Sequence, residues 1–244
     1  LRDHVNLPEV FHDSLREVSR STRVELDNDT LVAVVNDVHY GFAFEPSDIS
    51  TLWLSASPSL VVSVRLQPLR SIDRLRDAVK RGTPLRSTVA LMVQLMHDQG
   101  DVLMGIVRET TARVDSSEDN LLSGRTQALR ADLGALRRLL ARLQRLLAPE
   151  PAALFRLLQK PPEWFSSADV HDLNQSTEEF NLALRDMAAL QERIKLLLEE
   201  VAARVAEENN RSLFVLTMVT VLALPINIVA GLLGMNVGGI PWAE

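Results

Sequence analysis

The most constraining feature of this sequence is an uncharged apolar stretch at residues 213–234, near the end of the chain. About 20 apolar residues, each adding 1.5 Å to a helix, are enough to cross a hydrocarbon core of roughly 30 Å. The stretch is interrupted by Pro225 and Asn227. An amide at mid-depth is more typical of a helix face that lines protein or water than of one that meets lipid. The sequence therefore predicts a membrane-spanning helix preceded by a large polar region.

Composition and charge exclude several classes of protein. The net charge of −6 disfavours nucleic-acid binding. The absence of cysteine excludes disulfides and thiolate metal sites, and it fits a reducing cytosol. Residues 1–4 lack the apolar core of a signal peptide, and the missing initiator methionine leads us to expect a chain that begins inside a longer protein. Arg204 and Arg211 precede the apolar stretch and no Lys or Arg follows it, so the positive-inside rule places residues 1–210 in the cytoplasm.

Hydrophobic periodicity before the span predicts an α+β fold, with a small α/β domain followed by long helices. A first helix is predicted over residues 7–17. Three or four strands follow, at residues 23–26, 30–35, 49–54 and 60–66, with a turn at residues 27–29 between the first two. A helix is expected to begin near Ser71 or Asp73, which are both good N-caps. Further helical segments are predicted at residues 85–122, 123–147 and 152–158, and Pro149 and Pro151 are expected to end the second of them.

The last helix is predicted to begin near Trp164 or Ser167 and to run to Met235. Its apolar positions alternate in spacing between 4 and 3, which is typical of the seam of a coiled-coil-like helix. The seam positions are Leu173, Thr177, Phe180, Leu184, Met187, Gln191, Ile194, Leu198, Val201 and Val205. About 70 helical residues would extend roughly 105 Å, which is longer than a globular core. We therefore expect a stalk that continues into the membrane.

Charge suggests a neighbour for this stalk. Residues 123–147 carry six arginines against one acidic residue, Asp132, whereas residues 163–208 carry 11 acidic residues against four basic ones. A basic helix packed beside an acidic one would gain from complementarity. Two separately solvated faces are an equally good interpretation, because exposed ion pairs contribute only ~0–1 kcal/mol each.

The end of the chain resembles a known family. Five short motifs, together with the preceding long helix, resemble the CorA superfamily of divalent-cation channels and transporters. The motifs are Arg211-Ser212-Leu213, Leu216-Thr217, Leu224-Pro225, Ala230-Gly231 and Gly234-Met235-Asn236. Residues 237–241 are more similar to its zinc-transporter branch, ZntB, than to its magnesium branch. The resemblance covers roughly residues 60–241.

The resemblance carries expectations about architecture. It implies that the Gly-Met-Asn motif ends the first of two membrane helices, so that the second lies outside this sequence. It implies a homopentamer in the bacterial inner membrane, with long helices that form a funnel and a stalk. The expected division is residues 1–122 for the α/β domain with its long helix, 123–209 for a helical hairpin and stalk, 210–236 for the membrane helix and 237–244 for an external loop.

The resemblance also assigns the pore mouth to the motif. It implies that Gly234, Met235 and Asn236 lie at the pore mouth, where the Asn236 side chains of the subunits form a ring of amide oxygens that holds a hydrated cation. The alternative is an asparagine that only ends the helix. Helical spacing from Asn236 backwards places a stripe on one face, polar towards the outside and apolar towards the cytoplasm, where leucines could gate by dewetting. The stripe consists of Gly231, Asn227, Leu224, Thr220, Leu216 and Leu213. The alternative is a lipid-facing leucine stripe with Asn227 bonded to a neighbouring helix.

A second candidate site lies at the start of the stalk. Asp169, His171 and Asp172 are possible metal ligands, although residues 169 and 172 share a helix face that residue 171 does not. A solvated, acidic first turn that favours the helix dipole is the competing interpretation.

No catalytic motif stands out, so we expect a protein that is not an enzyme and that uses no cofactor. The expected function is divalent cation transport, with zinc as the ion. The alternatives are a magnesium or cobalt channel and a non-conducting, membrane-anchored helical scaffold. The expected partners are further copies of the chain, membrane lipid and divalent cations.

Overall fold

The computed structural model describes residues 7–16, 21–45, 48–123 and 129–234. The chain divides into two compact units, Leu1–Leu197 and Leu198–Glu244. The secondary-structure elements, in order, are α1 Glu9–Arg16, β1 Arg23–Asp27, β2 Thr30–Val38, β3 Ile49–Ala56, β4 Val61–Arg65, α2 Arg70–Lys80, α3 Thr88–Leu122, α4 Leu129–Leu147, α5 Pro149–Gln159 and α6 Ser167–Gly234. The predicted α+β class, with a small sheet and long helices after it, is confirmed.

The four strands form an antiparallel meander in the order β1-β2-β3-β4. The turn between β1 and β2 is tight, because Asp27 pairs with Thr30 and the two residues between them, Asn28 and Asp29, have φ of 44° and 65°. Asn and Asp tolerate this left-handed conformation, which matches the twist of a two-residue hairpin. The turn predicted at residues 27–29 is therefore confirmed.

The central strands β2 and β3 are buried on both faces, which explains their almost continuous apolar sequence. On one face Ala33 and Leu54 pack with residues of α3, α5 and α6, among them Met92, Leu157 and Leu173. On the other face Val32, Val34 and Trp53 pack against Phe11 of α1. The indole of Trp53 also donates a hydrogen bond of 2.9 Å to the carbonyl of Ser14, which secures α1 on this face.

Several helix boundaries differ from the predicted ones. The helix α2 begins at Arg70 with Leu69 at its N-cap, so the prediction that Ser71 or Asp73 caps it was wrong. The helix α3 begins at Thr88 and not at the predicted residue 85, because Ser87 acts as its N-cap and accepts a hydrogen bond of 2.9 Å from the backbone of Ala90. Gly100 and Gly105 lie inside α3 without breaking it.

The helix α4 ends at Leu147, as predicted, whereas α5 begins at Pro149, earlier than the predicted residue 152, because proline fits the first turn of a helix, where its missing N–H has no partner to lose. The break between α3 and α4 includes residues outside the described part of the chain.

The predicted seam of the long helix, as far as Ile194, faces the core of the first unit, to which this part of the helix belongs. Phe180, Met187 and Ile194 are at most 1% exposed. The neighbours are α3 and α4: Phe180 lies against Gly100 of α3, 3.9 Å from where a Cβ would be, and the Gln191 amide donates a 2.6 Å hydrogen bond to Gln144 of α4. Helical periodicity alone therefore found the buried face, which is covered within the same chain.

The long helix forms an ion pair with acidic residues of α3, in contrast to the complementarity with the basic residues 123–147 that the sequence suggests. Arg193 of α6 binds two carboxylates of α3: its guanidinium lies 2.7 Å from Asp115 and forms a two-pronged contact with Glu118. These bonds raise the pKa of Arg193 above its usual value. A hydrogen bond between the neutral side chains of Gln191 and Gln144 links α6 to α4. The basic side chain of Arg193, on the predominantly acidic helix α6, thus joins α6 to acidic residues of α3.

Candidate functional site

The apolar stretch forms the last part of α6, in the second unit. Within the described residues, α6 is the one helix that is long and apolar enough to cross a membrane. Its side chains in this stretch are exposed on every side, and Leu213, Leu216 and Leu224 are each at least 60% exposed. Such a surface is unstable in water and requires lipid or other membrane helices around it.

Every polar side chain in residues 213–234 lies on one side of this helix. The three are Thr217, Thr220 and Asn227, and α6 is helical throughout. At 3.6 residues per turn they fall within an arc of about 80°. The predicted leucine stripe, Leu213, Leu216 and Leu224, with Gly231, lies on the same side. The opposite side is bulky and apolar, and consists of Val215, Met218, Leu222, Ile226, Val229 and Leu233.

The hydroxyl groups on this face have a defined orientation. Thr217 donates a 2.8 Å hydrogen bond to the carbonyl of Leu213, and Thr220 donates one of the same length to the carbonyl of Leu216. Each hydroxyl proton is thereby held against the helix backbone, and the oxygen lone pairs remain free to accept. The face therefore offers neutral oxygen acceptors, which suit a hydrated cation. Thr217 was not predicted, although its position at helical spacing beside Thr220 could have identified it.

Pro225 lies within α6 without ending it. Proline has no N–H, so the carbonyl four residues earlier, that of Val221, loses its helical hydrogen bond and remains an acceptor. Val221 lies at the edge of the polar face, about 40° beyond Thr217. Gly231 has open space where a Cβ would be, as has Gly234. Met235 and Asn236 lie outside the described residues, so their predicted role at the pore mouth stays a prediction.

The three predicted ligands at the start of α6 lie in different surroundings. Asp169 accepts hydrogen bonds from the backbone and hydroxyl of Ser166, at 3.0 and 2.7 Å, and from the hydroxyl of Ser87 at 3.1 Å. His171 lines a groove beside α5, and Asp172 lines another beside α3. Among residues 7–16, 21–45, 48–123 and 129–234, no group of three or more His, Asp or Glu side chains could hold a metal ion. The structure therefore does not bring the predicted set together.

The electrostatics of Asp169 support a structural role. Partial burial raises the pKa of its carboxyl, and the hydrogen bonds from Ser166 and Ser87 outweigh burial, so the pKa is lowered overall. Asp169 and Ser166 form a reciprocal cap, because Ser166 also accepts a 3.1 Å hydrogen bond from the backbone of Asp169. The carboxylate thereby fixes the first turn of α6 and, through Ser87, the N-cap of α3.

Comparison with known proteins extends the resemblance to the whole chain. The model of the family described as CorA-like Mg2+ transporter protein matches residues 1–244, which include the first 60 residues, where the sequence had shown little resemblance. The divalent cation transporter CmaX of Pseudomonas aeruginosa is 29% identical over all of this chain and 74% of its own length. The zinc transport protein ZntB of Yersinia enterocolitica is 25% identical over 96% of this chain and 72% of its own length.

Solved structures have the same fold. The structure of full-length CmaX superposes with a TM-score of 0.85, at 29% identity, over 100% of this chain and 75% of its own. The CorA magnesium transporter of Methanocaldococcus jannaschii superposes with a TM-score of 0.77 over 91% of this chain and 71% of its own, and at 19% identity it supports the fold alone. Since the family model matches the chain from end to end, this protein belongs to the CorA family of divalent-cation transporters.

Proposed function

We propose that this chain carries zinc across the bacterial inner membrane along a passage lined by the polar face of residues 213–234. The observation that supports this proposal is the confinement of Thr217, Thr220 and Asn227 to one side of an otherwise aliphatic helix. Lipid favours the aliphatic side, and polar groups at membrane depth are stable only where protein or water covers them.

One helix does not enclose a passage, so the transporter is an assembly of several copies. The resemblance of the sequence to the CorA family implies a homopentamer, in which each subunit turns its polar face to the common axis. Residues 1–210 lie in the cytoplasm, in accordance with Arg204 and Arg211 before the span. The side with Leu222 and Ile226 then faces lipid or neighbouring helices.

The chemistry of this face suits the passage of a divalent cation. Amide and hydroxyl oxygens are neutral, so they order the water shell of the ion without holding it as tightly as a ring of carboxylates would. Asn236 supplies such an amide at the outer mouth, and Asn227 supplies one deeper in the membrane. Towards the cytoplasm, Leu213, Leu216 and Leu224 form apolar constrictions that gate by expelling water.

The identity of the ion rests on residues 237–241, which are more similar to the zinc-transporter branch, and on the similarity to a protein named for zinc transport. The alternative is a magnesium or cobalt channel, which is supported by the description of the matching family as a Mg2+ transporter. Flux of Zn²⁺, Mg²⁺ and Co²⁺ into proteoliposomes, measured singly and in competition, distinguishes the two. Flux of Mg²⁺ without flux of Zn²⁺ would end the zinc proposal.

The role of the polar face is tested with Asn227→Ala in the reconstituted protein. We expect a severalfold loss of divalent-cation flux, because the variant removes an amide from the passage. Ile226→Ala, one residue away on the aliphatic side, is the matched control and should keep near-normal flux. A non-conducting scaffold predicts no flux in any of the three proteins, and equal flux in Asn227→Ala and the unmodified protein would contradict the assigned face.

A further inference from the structure

The first unit contains a small internal cavity between the sheet and the helices α3, α5 and α6. Its volume is about 40 Å³, and ten of its twelve lining side chains are apolar. One water needs ~10–15 Å³, so the cavity has room for two or three waters. The two polar residues in its wall are Gln99 of α3 and Glu150 of α5. A purely apolar cavity of this size would stay dry, whereas a carboxyl group in the wall gives water a partner.

Glu150 is the unusual member of this wall. Its side chain is 1% exposed, and its Oε2 atom has no hydrogen-bond partner among the described residues. Burial raises the pKa of the Glu150 carboxyl well above its usual value, the charge of Asp37 raises it further, and the Gln99 amide opposes both. A buried carboxyl without a countercharge favours its neutral, protonated form.

Among the residues that the structure describes, no group around Glu150 supplies a countercharge to its ionised form. Strand β2 contributes Asp37, a second buried carboxyl, whose pKa burial raises to about 6. Asp37 is itself occupied, because it accepts hydrogen bonds from Val38 at 2.7 Å and from the backbone and hydroxyl of Ser71. The amide of Gln99 on α3 donates to the carbonyl of Asn36 at 3.2 Å. The remaining elements contribute apolar side chains to the wall, including Val24 of β1, Leu54 of β3 and Leu173 of α6.

We propose that Glu150 and the cavity beside it form an internal binding site for a proton and a few water molecules, which makes the packing of α5 and α6 on the sheet sensitive to pH. At low pH the proton resides on the Glu150 carboxyl, and the cavity wall carries no charge at this point. When the proton leaves to bulk water, the carboxylate draws water into the cavity through its unpartnered oxygen. The apolar contacts of Leu154 and Leu173 with the sheet are weakened in consequence.

The sign of the expected effect follows from linkage. Because the folded chain holds this proton more tightly than the unfolded chain does, the stabilisation is fully present below the unfolded pKa near 4.5 and is lost as pH rises through the folded pKa. Between these two values a single group changes the unfolding equilibrium constant by up to about tenfold per pH unit. The pKa of Asp37 is also raised, so its contribution to stability falls with rising pH in the same way, and the contribution of Glu150 must be isolated by a variant.

The test compares the full chain in detergent with its Glu150→Gln variant, by denaturant unfolding from pH 5 to pH 8. Trp53 and Trp164 lie in the first unit and report its unfolding by fluorescence. The glutamine keeps the shape and binds no proton. We therefore expect the variant to gain stability relative to the unmodified chain as pH rises, by up to about tenfold in the equilibrium constant per pH unit. A ratio of the two equilibrium constants that does not change with pH would overturn the proposal.

Two further variants sharpen this test. Glu163→Gln alters an exposed glutamate between α5 and α6, and its ratio to the unmodified chain should stay flat across the same range. Ala33→Val reduces the cavity volume while Glu150 is retained, so it excludes water, raises the pKa of the folded Glu150 carboxyl further and should extend the fall in stability to higher pH, in unfolding measured beyond pH 8. If Glu150→Gln does not fold, Ala33→Val decides alone: a fall in stability that levels off at the same pH as in the unmodified chain would refute the role of the cavity.

Discussion

Phe180 provides the sharpest test of how the long helix is stabilised. Its ring is 1% exposed, and it packs against Gly100 of α3, which has no side chain that could move into a hole. Truncation to alanine removes the ring and leaves a cavity, and such changes cost about 3–5 kcal/mol. This loss corresponds to two to four powers of ten in the unfolding equilibrium constant, at about 1.4 kcal/mol per tenfold.

Leu182 is the matched control, because it lies two residues away on the same helix and is 56% exposed. Leu182→Ala removes a side chain that is only partly shielded from water, so we expect a loss of about 1 kcal/mol or less. Unfolding of both variants in detergent, followed by tryptophan fluorescence at two protein concentrations, measures the difference. Self-association would make the stability depend on concentration.

Two results would refute this reasoning. Equal losses for Phe180→Ala and Leu182→Ala would show that burial in the first unit does not distinguish the two faces of α6. A loss in Phe180→Ala that grows on dilution would show that the seam is covered by another subunit and not by α3 of the same chain.

Three further predictions concern the same unit. Gly105→Ala should stabilise it by about 0.5–1 kcal/mol in denaturant unfolding, because Gly105 is an exposed position inside α3 with open space for a Cβ, and no change would imply hidden strain there. Arg193→Met should cost about 1 kcal/mol at low salt and less at high salt, because its contacts with Asp115 and Glu118 are more than a third exposed; a loss that is independent of salt would indicate packing instead of charge. Asp169 has a lowered pKa, so its stabilisation is present above the unfolded pKa near 3.8 and is lost as pH falls through the folded value; Asp169→Asn should therefore be less stable at pH 7 and show a weaker acid dependence, and an unchanged acid titration would contradict this.

Much of the fold was accessible from the sequence because it is determined by local pattern. Alternation and the Asn28-Asp29 turn predict the hairpin of β1 and β2, and 3.6-residue periodicity predicts the buried face of α6. The partner of that face was not predictable, since periodicity shows which side is buried and not what covers it. The end of α4 before Pro149 was predicted correctly, but the start of α5 was placed too late, because a proline that ends one helix can also occupy the first turn of the next.

The candidate site was predicted in part. Helical spacing placed Thr220 and Asn227 on one face, and the extended family match confirms a transporter and the expectation that the chain is not an enzyme. Sequence reasoning grouped Asp169, His171 and Asp172 by proximity along the chain, whereas Asp169 is engaged by Ser87, which is 82 residues away. It also missed Glu150, because a glutamate between two prolines is typical of an exposed helix start, and its burial depends on tertiary packing.

The uncharged character of the span has one more consequence. Residues 213–234 contain no group that gains or loses a proton in the physiological range, since threonine, asparagine and the aliphatic side chains do not titrate there. In the proposed passage, the charge of these side chains is therefore the same in acid and in alkali. Any acceleration or slowing of transport by acidity must originate in other parts of the molecule, where carboxylates and histidines are found.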